Sequence, residues 1–378
     1  MGVKAVKKKL LYFSHGLSAN GIETLLVNVM SRLDMDKYDV TVLIAIDEGV
    51  PSMHEDEVRS FGVKIINAGD LDGLKKKFAY IKNVKRELEL GGYDIVHSNM
   101  DLLNGITLFF AKRAGVKKRI CHAHNSKSQY KPEGRFSRIK MLVQKIYERV
   151  MKRSVIKNST ELVCCSELAG EYFYGDRKST LVYNGIDLGK FRMPADFDRE
   201  KYLDSVGILS EKRNIVSVSR ISPQKNPLFA VEIINELKKL RSDFKYIWVG
   251  AGGLEDEMKK KIAELGLEDT VILTGVRSDV PQILGCCDMF LMPSLFVGLP
   301  FSLVEAQAAG LKCIVSDVVT KTADAGLVSF FPLDSTAAQW AEFISKQLDL
   351  PKQKADEEKL KKFDISYTVK QLEEIYDN

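Results

Sequence analysis

Pro293-Ser294-Leu295-Phe296-Val297-Gly298-Leu299-Pro300-Phe301-Ser302-Leu303-Val304-Glu305-Ala306-Gln307-Ala308-Ala309-Gly310 decides how this chain is built. The apolar run Met289–Met292 ahead of it reads as a buried strand, the glycine and proline at 298 and 300 as a loop, and residues 302–309 as a helix. Strand, short loop and helix together form the unit of a parallel sheet. The free N–H groups at such a helix start make a ready anion site. Glu305 falls about one turn into the helix. It either complements the helix dipole or accepts two hydroxyls of a ribose at once.

The same unit repeats outward from this point. In the second half, residues 215–219, 246–249, 271–273 and 313–316 read as strands, with helices at 226–240 and 255–265 between them. In the first half the strands fall at 9–14, 40–46, 63–66, 95–97, 119–122 and 162–165. A helix at 22–33 follows the first strand. Leu74, Phe78, Ile81, Val84 and Leu88 mark the apolar stripe of another. Continuous apolar runs alternating with helices predict an α/β fold of parallel sheets covered on both faces. Residues 188–213 are rich in Asp, Arg, Pro and Gly with little periodicity, and are expected to link two doubly wound domains. Ligands of such domains are expected in the crevice at the carboxyl ends of the strands.

Composition agrees. The chain has 378 residues, 45% hydrophobic and 28% charged, enough for two cores. Its six cysteines, Cys121, Cys164, Cys165, Cys286, Cys287 and Cys313, lack zinc-ligand spacing and read as small buried hydrophobes in a reducing compartment. No apolar run reaches the roughly 18 residues a membrane span needs. His15, Asn20 and Glu23 interrupt any signal-type core after Lys7, Lys8 and Lys9, so a cytoplasmic location is expected.

Charge is uneven. Residues 1–185 carry 31 Lys and Arg against 21 Asp and Glu, whereas the remainder carries 25 against 30. Residues 111–160 hold fifteen cations and only Glu133 and Glu148. Within them, Ile139, Leu142, Val143 and Ile146 alternate with Arg138, Lys140, Lys145 and Arg149 at helical spacing. Lys75, Lys76, Lys77, Lys82, Lys85 and Arg86 form a second basic face. These are either solvated helix faces or docking surfaces for anionic lipid. Nucleic acid is not the expected partner, because no aromatic platform or reading helix accompanies the charge.

The remaining motifs stand at strand ends. Ser219-Arg220-Ile221-Ser222-Pro223-Gln224-Lys225-Asn226-Pro227 follows the first strand of the second half. Arg220 and Lys225 either grip a diphosphate or form a solvated pair. Val249-Gly250-Ala251-Gly252-Gly253 and Thr274-Gly275-Val276-Arg277-Ser278-Asp279-Val280 are further strand-end turns. In the first half, Ser18-Ala19-Asn20-Gly21-Ile22-Glu23 precedes a helix, and Cys121-His122-Ala123-His124-Asn125-Ser126 follows a strand.

In combination and order these motifs resemble the retaining glycosyltransferases of family 4, over nearly the whole chain, and most of all bacterial enzymes that build capsular or exopolysaccharide. The resemblance implies a GT-B fold of two Rossmann-like domains facing a central cleft. Residues 1–186 would be the acceptor-side domain, 187–360 the donor domain, and 361–378 would carry a last helix, at 365–376, packing back on the first. It implies that Arg220 and Lys225 bind the donor diphosphate and Glu305 the ribose. Gly250 and the Val276–Arg277 turn would lie along the nucleotide. Gly298, Leu299, Pro300, Phe301 and Ser302 would cap the phosphates, and Gly21 would let backbone approach donor or acceptor. His124 and Asn125 match the family's step near the transferred sugar, and Asn184-Gly185-Ile186-Asp187 its turn near the linker. The expected reaction is retaining transfer from a nucleoside-diphosphate sugar, a UDP sugar first, to a saccharide or lipid-linked saccharide. Neither a cofactor nor a metal is expected.

One position departs. The family places a glutamate eight residues before Glu305, and Val297 stands there. That departure keeps a second expectation open, an impaired glycosyltransferase-like subunit that binds nucleotide or another transferase. A dinucleotide-dependent oxidoreductase would need a Gly-x-Gly-x-x-Gly turn after the first strand, which residues 14–20 lack.

Overall fold

A computed structural model describes residues 6–18, 21–47, 52–125, 137–207, 212–296, 299–351 and 353–378. They divide into two compact units, Met1–Gly185 with Ile365–Asn378, and Ile186–Asp364. The first unit holds β1 (Lys8–Phe13), β2 (Tyr38–Ile44), β3 (Lys64–Asn67), β4 (Ile95–Ser98), β5 (Lys118–Ala123), β6 (Glu161–Cys164) and β7 (Thr180–Leu181). They form one parallel sheet in the order β3-β2-β1-β4-β5-β6-β7. The second holds β8 (Arg213–Val218), β9 (Phe244–Val249), β10 (Val271–Gly275), β11 (Met289–Met292), β12 (Lys312–Ser316) and β13 (Val328–Phe331), ordered β10-β9-β8-β11-β12-β13. Leu10, Leu11, Tyr12 and Phe13 are all fully buried, as are Met289, Phe290 and Leu291. Neighbours pointing to opposite faces are both covered, so the apolar runs are continuous instead of alternating.

Both sheets reverse direction at the same place. The chain winds outward from β1 to β3, then returns past β1 to β4; β8 and β11 repeat the step. The gap at each reversal leaves the carboxyl ends of two neighbouring strands free of a covering connection. Residues 14–18 and 99–101 lie at the first such end, and residues 219–227, 293–296 and 299–301 at the second.

Several expectations need correction. Residues 188–213 are not a linker. They belong to the second unit, where Leu188 and Phe191 are buried and a helix spans Arg199–Ser205. The units meet along the chain at Gly185 and again at Ile365, so residues 361–364 go with the second unit and not with the last helix. The helix Gly73–Gly91 buries Tyr80, Val84 and Leu88, while Leu74 and Phe78 are 77% and 71% exposed. Tyrosine supplied the apolar area that a stripe of aliphatics and phenylalanine omitted. The helix Asn104–Arg113 has no counterpart in the sequence pattern, because its inner face carries Asn104, Gly105 and Thr107. Gly105 is small for a reason: a Cβ there would lie 2.8 Å from the Met151 carbonyl oxygen on the helix Ser137–Asn158.

The last helix, Ile365–Asp377, buries Ile365, Thr368, Val369, Leu372 and Tyr376 within the first unit. Gly185 is required by that packing, since a Cβ would stand 2.4 Å from Thr368 Oγ1 and 2.7 Å from Ile365 Cα.

Candidate functional site

At the carboxyl edge of the first sheet, β4 and β5 are stitched together beyond their last ladder bonds. His124 Nε2 meets Asn99 Oδ1 at 2.8 Å, and Asn125 Nδ2 donates to Asp101 Oδ1 at 2.8 Å. Asn99 is fully buried. With Nε2–H donating to that oxygen, His124 Nδ1 carries a bare lone pair, and it is buried with no hydrogen-bond partner among the described residues. Burial pushes the His124 imidazole down to about 3, so it is neutral at pH 7 and available as a hydrogen-bond acceptor.

Behind His124 runs a buried polar chain. Its ring lies 4.2 Å from that of His122, centroid to centroid. His122 Nδ1 meets His97 Nε2 at 3.2 Å, His97 Nδ1 meets Tyr376 Oη at 2.7 Å, and Tyr376 Oη meets Tyr12 Oη at 2.7 Å. His97 and His122 are each 1% exposed. Burial, with a smaller contribution from His124, lowers the His97 ring to about 3, and the same causes hold His122 well below its usual range. A neutral chain can run in one direction at a time. Tyr376 donates to His97 and leaves His122 Nε2 protonated, or the reverse leaves it bare. Either way the last helix selects the tautomer.

Near the end of β1, the Glu23 carboxylate accepts from Ser18 N at 2.7 Å and from Ser18 Oγ. This ties the loop to the start of the helix Gly21–Met30, which Gly21 opens. Residues 19, 20 and 126 lie outside the described residues.

At the carboxyl edge of the second sheet the chemistry differs. Arg220, just past β8, is exposed. Lys225 is partly buried, and burial, followed by repulsion from Arg220, lowers its ammonium to about 8. Among the described residues neither Arg220 nor Lys225 is paired with a carboxylate. Their backbone is held firmly. Trp248 Nε1 donates to the Ser219 carbonyl at 3.0 Å, and Leu295 N donates to the Gln224 carbonyl at 2.9 Å. Gly250, at φ +133°, is there because a Cβ would come 2.2 Å from the Ser219 carbonyl oxygen. It shapes the support beneath Arg220.

The helix Phe301–Ala308 opens beside this rim after Pro300, with no side chain capping its amino end. Gln307 anchors it by donating to the Leu303 and Ala323 carbonyls and accepting from Ala325 N. Burial raises the Glu305 carboxyl to about 7, and no hydrogen bond among the described residues offsets it. Leu299 and Pro300 precede the helix, and Ser302 sits in its first turn. Val297 and Gly298 lie outside the described residues.

The other expected positions are placed less directly. Val276 is 69% exposed, and the Arg277 guanidinium is engaged twice with Asp279, at 2.8 and 2.6 Å. Asn184 is buried, its Oδ1 without a partner among the described residues. Sequence reasoning missed Asn99, Asp101, His97 and Tyr376. An Asn and an Asp spaced two apart after an apolar strand was the available signal.

Comparison with known proteins agrees with this arrangement. Residues 19–190 match the family described as Glycosyltransferase Family 4, and residues 198–326 match Glycosyl transferases group 1. EpsF of Bacillus subtilis, described as a glycosyltransferase, is 30% identical over 351 residues, 90% of this chain and 88% of that one. The UDP-Gal:α-D-GlcNAc-diphosphoundecaprenol α-1,3-galactosyltransferase of Escherichia coli is 28% identical over 79% of this chain and 76% of its own. The crystal structure of Anabaena HepE with UDP and glucose superposes with a TM-score of 0.75 at 17% identity, covering 98% of this chain and 100% of that one. That likeness shows the GT-B fold.

Proposed function

From the premise that the chain belongs to the family 4 and group 1 glycosyltransferases, we propose that it transfers a sugar from a UDP donor, with retention, to a saccharide or lipid-linked saccharide in polysaccharide synthesis. One observation carries this. Among the described residues, the second rim holds two cations with no carboxylate paired to either and one carboxyl with no cation or hydrogen-bond donor paired to it. A nucleoside diphosphate answers both needs, with phosphates for Arg220 and Lys225 and ribose hydroxyls for Glu305. The relatives lend support. The E. coli enzyme is named for a UDP sugar and a diphosphoundecaprenol acceptor, and HepE was crystallised with UDP and glucose.

In this scheme the charge that develops on the leaving diphosphate falls to Arg220, Lys225 and the backbone N–H groups where the helix Phe301–Ala308 begins. That positive charge does the work a metal ion would otherwise do. His124 Nδ1, neutral and bare, accepts a hydroxyl of the transferred sugar, and Asn125 orients it.

The acceptor's lipid would bring the chain to an anionic surface. No helix of the described residues is long and apolar enough to cross a membrane. The helix Ser137–Asn158 exposes Ile139, Leu142, Val143 and Ile146, each 56–61% accessible. Its later turns, with residues 171–177, line a cavity of about 660 Å³ in which Lys145, Arg149, Lys152, Arg153, Lys157 and Arg177 outnumber Glu148 and Glu171. Apolar side chains beside cations suit an interface of acyl chains and phosphate headgroups.

The test is calorimetric titration with UDP, then incubation with UDP-glucose, UDP-galactose and UDP-N-acetylglucosamine and a polyprenyl-diphosphate-linked N-acetylglucosamine. We expect UDP binding and transfer from one donor. UDP binding without turnover of any donor would favour the impaired subunit that Val297 suggests. Absence of UDP binding would sink the donor assignment.

A further inference from the structure

Asp101 belongs to none of the motifs above, yet its backbone is in an unusual state. Its φ is +49°, and among the described residues only Asn226 shares a positive φ without being glycine. The left-handed region is unfavourable for a residue with a Cβ, least so for Asp and Asn. Such outliers concentrate where a site needs them.

The turn does not need this side chain. Asn104 holds it, with Oδ1 accepting from Met100 N at 2.7 Å and from Ser98 Oγ at 2.7 Å, and Leu103 N donates to the Met100 carbonyl at 2.9 Å. Glycine would satisfy the same backbone with less strain. The aspartate bears a second cost, since burial raises its carboxyl above the usual range, only partly offset by Asn125 and then His15. In return Oδ1 accepts one bond, from Asn125. Oδ2 has no hydrogen-bond partner among the described residues.

Strain, desolvation and one free oxygen converge beside His124 and Asn125. We propose that Asp101 is a further substrate-contacting residue of the transfer site. Oδ1 holds Asn125 in place, and Oδ2 accepts a hydroxyl of the saccharide. This assignment rests on the sugar-transfer function proposed above. The ligand it takes is a neutral polyol, recognised as buried carboxylates recognise sugar hydroxyls, through a charge-assisted hydrogen bond.

Two variants test it, Asp101→Gly and Asp101→Asn. The glycine variant should melt at the wild-type temperature or above it, because the strained backbone is relieved. Its transfer rate, with whichever UDP sugar the wild type uses, should fall by at least roughly tenfold, the loss of one charge-assisted bond. Asp101→Asn keeps an oxygen for Asn125 and should fall between the two. The UDP dissociation constant should not move in either variant. A lower melting temperature for Asp101→Gly would mean that Asp101 serves the fold, and unchanged transfer would mean that it touches no substrate. Either result overturns the proposal. Failure of the wild type to bind UDP would instead refute the donor assignment, and the melting comparison would still decide whether Asp101 is present for the fold.

Discussion

The two sheets share a winding order and reverse at equivalent strands, yet their rims are built from opposite materials. The first rim is internally bonded and carries no charged histidine: Asn99 holds His124, the Asp101 carboxylate holds Asn125, and three histidines are kept uncharged by burial. The second is charged, and among the described residues Arg220, Lys225 and Glu305 each have no ion-pair partner. Neutral polar groups can be buried deeply when bonded to one another, whereas uncompensated charges stay near solvent or await a ligand. The difference teaches that one topological device serves two chemistries. A rim of hydrogen-bond acceptors suits hydroxyls, and a rim with two cations suits a diphosphate.

The sharpest way to break this contrast is to strip the charged rim. Charge-assisted bonds contribute about 1.5–3 kcal/mol each. Replacing both Arg220 and Lys225 by alanine should therefore weaken UDP binding by roughly two to four decades, at about 1.4 kcal/mol per decade. His124→Ala should leave the UDP dissociation constant where it is. If calorimetry shows His124→Ala losing as much affinity as the double variant, the division of labour between the rims is wrong.

Next in size is the relay behind His124. Tyr376→Phe preserves the ring but removes the hydroxyl that joins His97 to Tyr12. It leaves buried nitrogen or oxygen unpaired, so stability should drop by about 1–3 kcal/mol, measured by urea unfolding. Nitrogen NMR of the imidazoles should show a changed tautomer for His97 or His122. Unaltered spectra would mean that the last helix packs on these rings without ordering them.

A smaller effect separates the rims by pH. Lys225 has a lowered pKa of about 8 in the free protein. A bound diphosphate raises it, so its contribution is full below pH 8 and is lost as pH rises through that value. Glu305 is raised to about 7. Ribose hydroxyls favour its ionised form, so its contribution is lost as pH falls through 7. UDP affinity should peak between these values and weaken by roughly tenfold at pH 9. Lys225→Arg should flatten the alkaline limb, and His124→Gln should leave both limbs in place, because burial keeps that ring from titrating in this range. A flat profile for the wild type would count against both charged assignments. Smallest of all, EDTA should leave UDP binding unchanged. Loss of binding that magnesium restores would show that Arg220 and Lys225 do not suffice.

Much of the fold was legible because buried parallel strands are short apolar runs. Residues 95–97, 119–122, 246–249 and 289–292 could be read directly, and each lies within a strand. Arg220, Lys225 and Glu305 were singled out only by the family resemblance, since by spacing alone the first two also read as a solvated pair and the third as a partner of the helix dipole. The helix Asn104–Arg113 was not legible, because tight packing against its neighbour selects Gly105 and Thr107 where the pattern looks for leucine. The stripe on Gly73–Gly91 was misplaced because Tyr80 buries its ring while counting as polar.

From the sequence alone came the alternation of strands and helices, the two units and the motifs at the strand ends, all of them local properties of spacing and residue type. Tertiary structure alone decided the electrical state of those motifs. Whether a histidine is charged depends on how much water its neighbours exclude, and those neighbours come from anywhere in the chain. Tyr376 reaches His97 across 279 positions of sequence, and His97 reaches His122 across 25. Asp101 makes the same point in the backbone. Its residue type is ordinary, and only the packed turn, held by Asn104 and bonded to Asn125, gives it a left-handed conformation and leaves one carboxylate oxygen without a partner among the described residues.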